Sequence, residues 1–370
     1  MSTVKGLRAG VIAGVLLGMT LAAGTVSAQG NFSTERPGSI LIFPKVVNTN
    51  PNTIIQISNV SNNVVHAHCF YTDGRPVNGQ PAWQVTDFEI SLTRQQPTTW
   101  SASDGRAVNP QDGDRGFDPG LVPPVPPGFT GFLVCVETAL DGTPMGSNSL
   151  TGQATIGDIT TLGGTNNVSK YNAIGIPSCN GNGMAMGNPG LCGPTSGTNN
   201  LDNVLSLNGV EYAACPGGLY VNFIGDGAED PAIALAGNSP SVVSTSLTFI
   251  PCAIDFENLE PEETAVTFAI RNEFEVNRSI SPVLVDCWFE SLIGDLGPPF
   301  VMTEAGLQTT FGKAIVTPIG PGLAPVLGVA NVLRTAGDGS SDTAATNLHF
   351  CTDDADPPGC PSFNSEIRLP

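Results

Sequence analysis

Apolar and polar residues alternate with a period of two along most of this chain, most clearly in residues 39–74. Ile40 to Val47 is an apolar run broken by Pro44, which suits a strand entering a core or lying at a sheet edge. From Thr53 to Asn59, Ile55 and Ile57 share one face while Gln56 and Ser58 share the other. From Val65 to Tyr71, Val65, Ala67, Cys69 and Tyr71 point one way, and His66, His68 and Phe70 the other. Asn, Pro and Ser separate the three runs, and Thr72-Asp73-Gly74 predicts a turn after the third.

A degenerate copy begins at Leu247. Matching Asn59 to Asn272 sets Ile55 and Ile57 against Phe268 and Ile270. The third strand then matches Val65, Ala67, Cys69 and Tyr71 to Val283, Val285, Cys287 and Phe289, which places Cys287 on an inward face. The likeness resumes where Gly128 to Glu137 matches Gly322 to Asn331, and Leu150 matches Leu348. Two halves repeating in one order argue for duplication. Further strands are predicted at Trp83–Thr93, around Trp100, at Phe132–Glu137 and at Leu150–Ile156, with a long Asp/Gly/Pro loop over 104–128. Residues 157–244 have no counterpart in the repeat. They hold strand-like runs at Tyr171–Ile176, Tyr212–Cys215 and Leu219–Ile224, and predict a connector that adds strands to a sheet.

With 44 Gly, 31 Pro and few basic residues, composition favours many short strands over helices. Lys5 and Arg8, the apolar run Val11–Ala23 and the small residues of Val26-Ser27-Ala28 read as a secretory signal spanning 1–28. The apolar core is short for a spanning helix, so cleavage after Ala28 is expected, with no membrane insertion afterwards. Cleavage leaves 12 basic against 33 acidic side chains, a net charge of −21. Such a surface excludes nucleic acid and anionic membrane as partners.

Ile42-Phe43-Pro44, Val65 to Tyr71, Phe256 to Leu259 with Asn272 to Glu275, and Cys287 to Phe289 resemble the corresponding segments of an uncharacterised group of bacterial exported proteins. Those proteins carry tandem immunoglobulin-like β-sandwich modules. The resemblance covers nearly the whole mature chain. It implies an all-β fold with two related immunoglobulin-like β-sandwich modules in tandem, at 29–156 and 245–370, joined by a strand-containing connector at 157–244. It implies a secreted, periplasmic or cell-surface location and brings no activity. The Cys…Trp…Cys core of antibody domains is not matched.

All nine Cys lie in the mature chain, and an exported protein should pair most of them. The expected pairs are Cys69 with Cys135, Cys179 with Cys192, Cys215 with Cys252, and Cys351 with Cys360. Val329 stands where the second copy would need a partner for Cys287, so Cys287 should be a buried free thiol.

The search for chemistry is mostly negative. There is no G-x-S-x-G elbow, H-E-x-x-H helix or phosphate loop. His66 and His68 share a strand face, as in some zinc sites, but the copy has Leu284 and Asp286 there, so metal is not a property of the module. Asp112, Asp114 and Asp118 crowd one loop, Asp226, Glu229 and Asp230 another, and Asp353, Asp354 and Asp356 a third. Calcium is the ion such loops would hold, although solvated acids are the commoner case. No cofactor is otherwise expected. A non-enzymatic structural or adhesive protein fits best. A glycan- or calcium-binding module, suggested by Trp83, Trp100 and Trp288, is the alternative, and a hydrolase comes third. One oddity remains. A sandwich face turned to water should be polar, yet Phe70 in one copy and Leu284 and Trp288 in the other occupy that face. Such a patch predicts a cover: the connector first, then the other module, or self-association or another cell-surface partner.

Overall fold

The structure is a computed structural model that describes residues 33–107, 119–157, 167–179, 202–231, 241–320, 324–337, 341–350 and 363–370. In the first half the strands are β1 (Ile40–Asn48), β2 (Asn52–Asn59), β3 (Val65–Asp73), a small hairpin of β4 (Pro76–Val77) and β5 (Gln80–Pro81), β6 (Gln84–Leu92), β7 (Pro97–Ser101), β8 (Phe129–Thr138) and β9 (Leu150–Gly157). The middle contributes β10 (Val168–Asn172), β11 (Ile174–Ile176), β12 (Val204–Leu207) and β13 (Leu219–Ile224). The second half has β14 (Ser241–Pro251), β15 (Ile254–Asp255), β16 (Glu263–Asn272), β17 (Asn277–Ser279), β18 (Val283–Asp286), β19 (Phe289–Leu292), β20 (Phe311–Ile319), β21 (Val326–Ala336), β22 (Ser341–Asn347), β23 (His349–Phe350) and β24 (Ser365–Arg368). The fold is all-β and built of sandwiches. Its described helical turns are short, at Ile293–Leu296 and Pro298–Phe300.

One nine-stranded sheet makes both layers of the first sandwich. β1 meets β2 only at Asn48↔Asn52, so the sheet folds over at that corner. β2, β7, β9 and β10 form one layer; β1, β3, β6 and β8 form the other. Leu41 and Phe43 from β1, Ile55 and Ile57 from β2, Tyr71 from β3 and Trp100 from β7 meet between them. The alternation read in β2 and β3 is the alternation that fills this core. Pro44, which lacks an N–H to give the ladder, sits where the β1–β8 register shifts between Phe43 and Val46. The backbone N–H of Lys45 donates to the hydroxyl of Tyr171, which itself donates to the carbonyl of Lys45. The bulge is thereby satisfied from the opposite layer.

The second sandwich packs a sheet of β16, β17, β18, β20, β13 and β23 on a sheet of β19, β14, β21 and β22. Phe249, Phe268, Phe300 and Val316 lie in its core, with Leu219, Val221 and Phe223 supplied by β13 from the middle of the chain. The pairing β14–β21 repeats β1–β8: Leu41↔Cys135 and Ile42↔Val134 correspond to Thr248↔Val329 and Phe249↔Gly328. The faces, however, are exchanged. Leu41 and Phe43 line the first core, whereas the second core receives Leu247 and Phe249. The third strand of the copy also departs from its match. β3 runs unbroken between β6 and β8, but its counterpart is split: β18 pairs with β16 in one sheet and β19 with β14 in the other. The switch falls at Cys287, whose φ is 62°. A left-handed residue turns its side chain out of the strand's alternation, so Cys287 enters the layer between the sandwiches and not the second core. It is fully buried and free, and burial holds its thiol pKa well above the ordinary value, reinforced by Asp286 and Asp73.

That layer is a third core. Ile40, Ile42, Phe70 and Val134 from the outer face of the first sandwich meet Leu205, Leu207, Ile250, Phe256 and Ile367. A three-stranded sheet in the order β12-β24-β15 lies over this face, so connector, second half and C-terminal strand all contribute. Phe70 is 0% exposed and stacks on Phe256 at 4.4 Å between ring centroids. The part of the patch at Phe70 is thus covered within the molecule, by three segments, whereas Leu284 in the second copy stays 52% exposed. Among the described residues Cys69 is bonded to Cys135, and Cys215 to Cys252. The first bridge joins directly opposed residues of β3 and β8, within one layer. Cys179 is disulfide-bonded, while Cys192, Cys351 and Cys360 lie outside the described residues.

Glu137 on β8 is wholly buried. Its carboxylate accepts from the Ser147 amide at 2.9 Å, the Ser147 hydroxyl at 2.8 Å and the Ser149 amide at 2.6 Å, which fastens the following loop to the sheet. Burial still raises its pKa above the ordinary 4.5, and those hydrogen bonds only partly oppose the rise. The folded protein therefore binds this proton more tightly than the unfolded chain does. Its contribution to stability is full at low pH and is lost as pH climbs from 4.5 through the raised value. Urea melts over that window should show stability falling with pH, and Glu137→Gln should flatten the fall. An unchanged slope in the variant would contradict this role.

Candidate functional site

A cleft of about 540 Å³ lies between the sandwiches. Its floor is the face of the β19-β14-β21-β22 sheet turned away from the second core. Cross-strand register sets Leu292, Ser246 and Asn331 in one row and Glu290, Thr248 and Val329 in the next. Its roof comes from the first sandwich: Lys45 and Val47 of β1, Pro51 at the corner, Ile156 of β9 and Ser169 of β10. Lys45 and Glu290 form an ion pair across the gap, with side-chain exposures of 10% and 26%. Beside it, Trp288 Nε1 donates to the Pro44 carbonyl at 3.0 Å. The bulge in β1 and the strand switch at Cys287 bring these groups together. Val329, in the row of Glu290, belongs to the first sandwich's core.

The cleft offers hydroxyl and amide groups around an internally neutralised ion pair. The Asn331 side-chain oxygen is buried and has no protein partner. At the rim, Asn347 Nδ2 donates to the Asn172 carbonyl at 2.7 Å, and the Asn172 amide donates back to Asn347 Oδ1 at 3.2 Å. The two sandwiches are thereby joined edge to edge beside the cleft.

Of the described residues singled out from sequence, Trp288 stands beside this cleft and the others lie elsewhere. His66 Nδ1 is 2.6 Å from Ser91 Oγ, and His68 Nε2 is 3.0 Å from Asp87 Oδ2, each ring engaged with its neighbour on β6. No group of three metal-ligating side chains occurs among the described residues. Asp112, Asp114 and Asp118, and Asp353, Asp354 and Asp356, lie outside the described residues. Asp226 Oδ1 accepts from Ser244 Oγ at 2.8 Å, and Asp230 pairs with Arg334 at 2.5 Å. The tryptophans that suggested glycan stacking are occupied. Trp100 is buried and donates to the Tyr71 hydroxyl at 2.6 Å, Trp83 is in the third core, and Trp288 is wedged against Gly74 between the halves. Of the interface candidates, Phe70 is inside, Trp288 is half-buried between the sandwiches, and Leu284 is 52% exposed.

Sequence reasoning missed Lys45 and Glu290. Lys45 left a signal, since a lone Lys inside an otherwise apolar strand asks for a partner. Glu290 left none, because its strand lies beyond the unmarked switch at Cys287.

No family model matches this chain, and no curated protein matches it. Among solved structures the chain aligns with a lectin of Pleurotus ostreatus in its apo form (14% identity, 86% of this chain and 81% of that one, TM-score 0.17). It also aligns with a Pleurotus ostreatus lectin in complex with GalNAc (11% identity, 88% and 80%, TM-score 0.17). A chemokine-binding protein of a rodent gammaherpesvirus aligns at 9% identity, 87% and 83%, with a TM-score of 0.15. Likenesses of this size carry neither a fold nor a ligand across. No described helix is long and apolar enough to cross a membrane.

Proposed function

We propose that this protein is an exported, non-enzymatic structural or adhesive subunit whose two sandwiches act as one rigid body. The observation that supports it most is the third core, where Phe70, Phe256, Leu205 and Ile367 bury what would otherwise be the free face of the first sandwich. A flexible tether has no use for such a core, whereas a load-bearing or surface-displayed unit does. The resemblance to exported bacterial β-sandwich proteins, the signal-like start and the two bridges fit a secreted, periplasmic or cell-surface site. Fractionating the producing cells, with protease shaving and chemical crosslinking, tests this reading. Recovery in crosslinked envelope or extracellular assemblies is expected. Recovery solely as free, uncrosslinked protein would contradict it.

A second reading, a binding module for a neutral sugar, is favoured by the cleft with its cancelled charges and the unpartnered oxygen of Asn331. Calorimetric titration with neutral oligosaccharides decides for it if heat appears and is lost in Asn331→Leu.

A further inference from the structure

The outer face of the second sandwich's larger sheet carries an unusual charge pattern. Residues of β16, β18 and β20 that point away from the second core include Leu284, Ala265, Ile319, Ala269 and Ile315. Leu284 and Ala269 are exposed, and the other three are half-buried. Thr267 opposite Thr317 makes the central row, and these apolar groups flank it on both sides where a solvated sheet face should be mostly polar. At one end Glu263 stands directly opposite Asp286. At the other, Arg271 stands directly opposite Lys313. Like charges opposed across a ladder are destabilising, and this face has a like pair at each end, of opposite sign.

Among the described residues none of the four side chains forms an ion pair: Arg271 Nε donates to Asn277 Oδ1, and Lys313 lies over the Tyr220 ring at 4.2 Å. Burial and then the neighbouring Glu263 raise the pKa of Asp286, as expected of an acid lacking a cation. Basic residues are scarce here, 12 in the mature chain, so two side by side on one face need a reason.

We propose that this face is a two-fold homodimer interface in which the acidic end of one copy docks on the basic end of the other. An isologous contact must be self-complementary. A two-fold axis lying in the interface across the strands, near Thr267, reverses the strand direction. It sets Glu263 of each copy over Arg271 of the other, with Asp286 and Lys313 on opposite flanks of that pair, about 10 Å apart. The alternative axis, along the strands, would bring like charges together. Eight residues separate Glu263 from Arg271, about 26 Å of strand. With its three strands ~4.8 Å apart, the face offers about 370 Å² per copy. Two copies bury roughly 750 Å², below the ~1,000 Å² at which a stable specific interface begins, so the dimer is weak, relies on its end charges and dissociates on dilution. The contact goes beyond the proposed function and does not depend on it.

Sedimentation velocity of the purified mature protein tests this. A shift from monomer to dimer with rising concentration is expected, weakened by salt because the charges at the ends are screened. Arg271→Glu with Lys313→Glu makes both ends acidic, and Glu263→Lys with Asp286→Lys makes both ends basic. Each double variant alone should be monomeric, and their equimolar mixture should recover the dimer. If a reversed variant lost its cooperative melt, Arg271→Gln with Lys313→Gln and, separately, Leu284→Ser would take its place, each expected to weaken the dimer. A wild type monomeric at every concentration, either reversed variant dimerising alone as the wild type does, or a mixture that stays monomeric would overturn the proposal.

Discussion

Phe70→Ser should lower the unfolding free energy by about 4 kcal/mol, as expected for truncating a fully buried aromatic residue. The ring is 0% exposed, stacked on Phe256 and tilted against His68 at 4.2 Å. The replacement leaves a cavity and also buries a hydroxyl in an apolar layer. Because Phe70 belongs to the first sandwich and Phe256 to the second half, the loss should reach both. The control is Phe274→Ser at a site 75% exposed, where a change within roughly 0.5 kcal/mol is expected. Chemical denaturation followed by tryptophan fluorescence measures both. A Phe70 variant as stable as the control would mean that the third core contributes little.

Replacing Cys69 and Cys135 together by Ala should cost a similar amount. Their bridge spans a sequence separation of 66 residues, and loop-closure entropy puts its effect on the unfolded chain at about 4 kcal/mol. The bridge from Cys215 to Cys252 spans 37 residues, so its removal should cost slightly less. It also ties the connector to the residue just after β14, inside the third core, so the two losses should differ in kind. The first should destabilise without loosening the halves. The second should raise proteolysis around 202–231 as well. Paired melts with limited digestion of the two variants check this, and identical digestion patterns would contradict the distinction.

The parts of the fold legible in sequence are those in which local pattern and burial agree. Ile55 and Ile57 alternate with Gln56 and Ser58 because β2 has one face in a core and one toward water. Phe70 was legible as a contradiction, an aromatic residue on a face that should be polar. What covers it was not. β12, β15 and β24 are two to four residues long and meet from distant parts of the chain, so no periodicity marks them. The strand switch at Cys287 carries no Gly or Pro, and Val283 to Phe289 therefore reads as one strand like its counterpart. That misreading put Cys287 in the wrong core and hid Glu290. The cleft was half legible for the same reason: Lys45 stands out in its own strand, but its partner 245 residues away does not.

The rigid-body claim is tested most directly by differential scanning calorimetry of residues 29–370 with the bridges intact. A shared core makes the two sandwiches melt together, in one transition whose calorimetric and van't Hoff enthalpies agree. Phe70→Ser should move that single transition down as a whole. Two resolved transitions in the wild type, of which Phe70→Ser shifts only one, would contradict it.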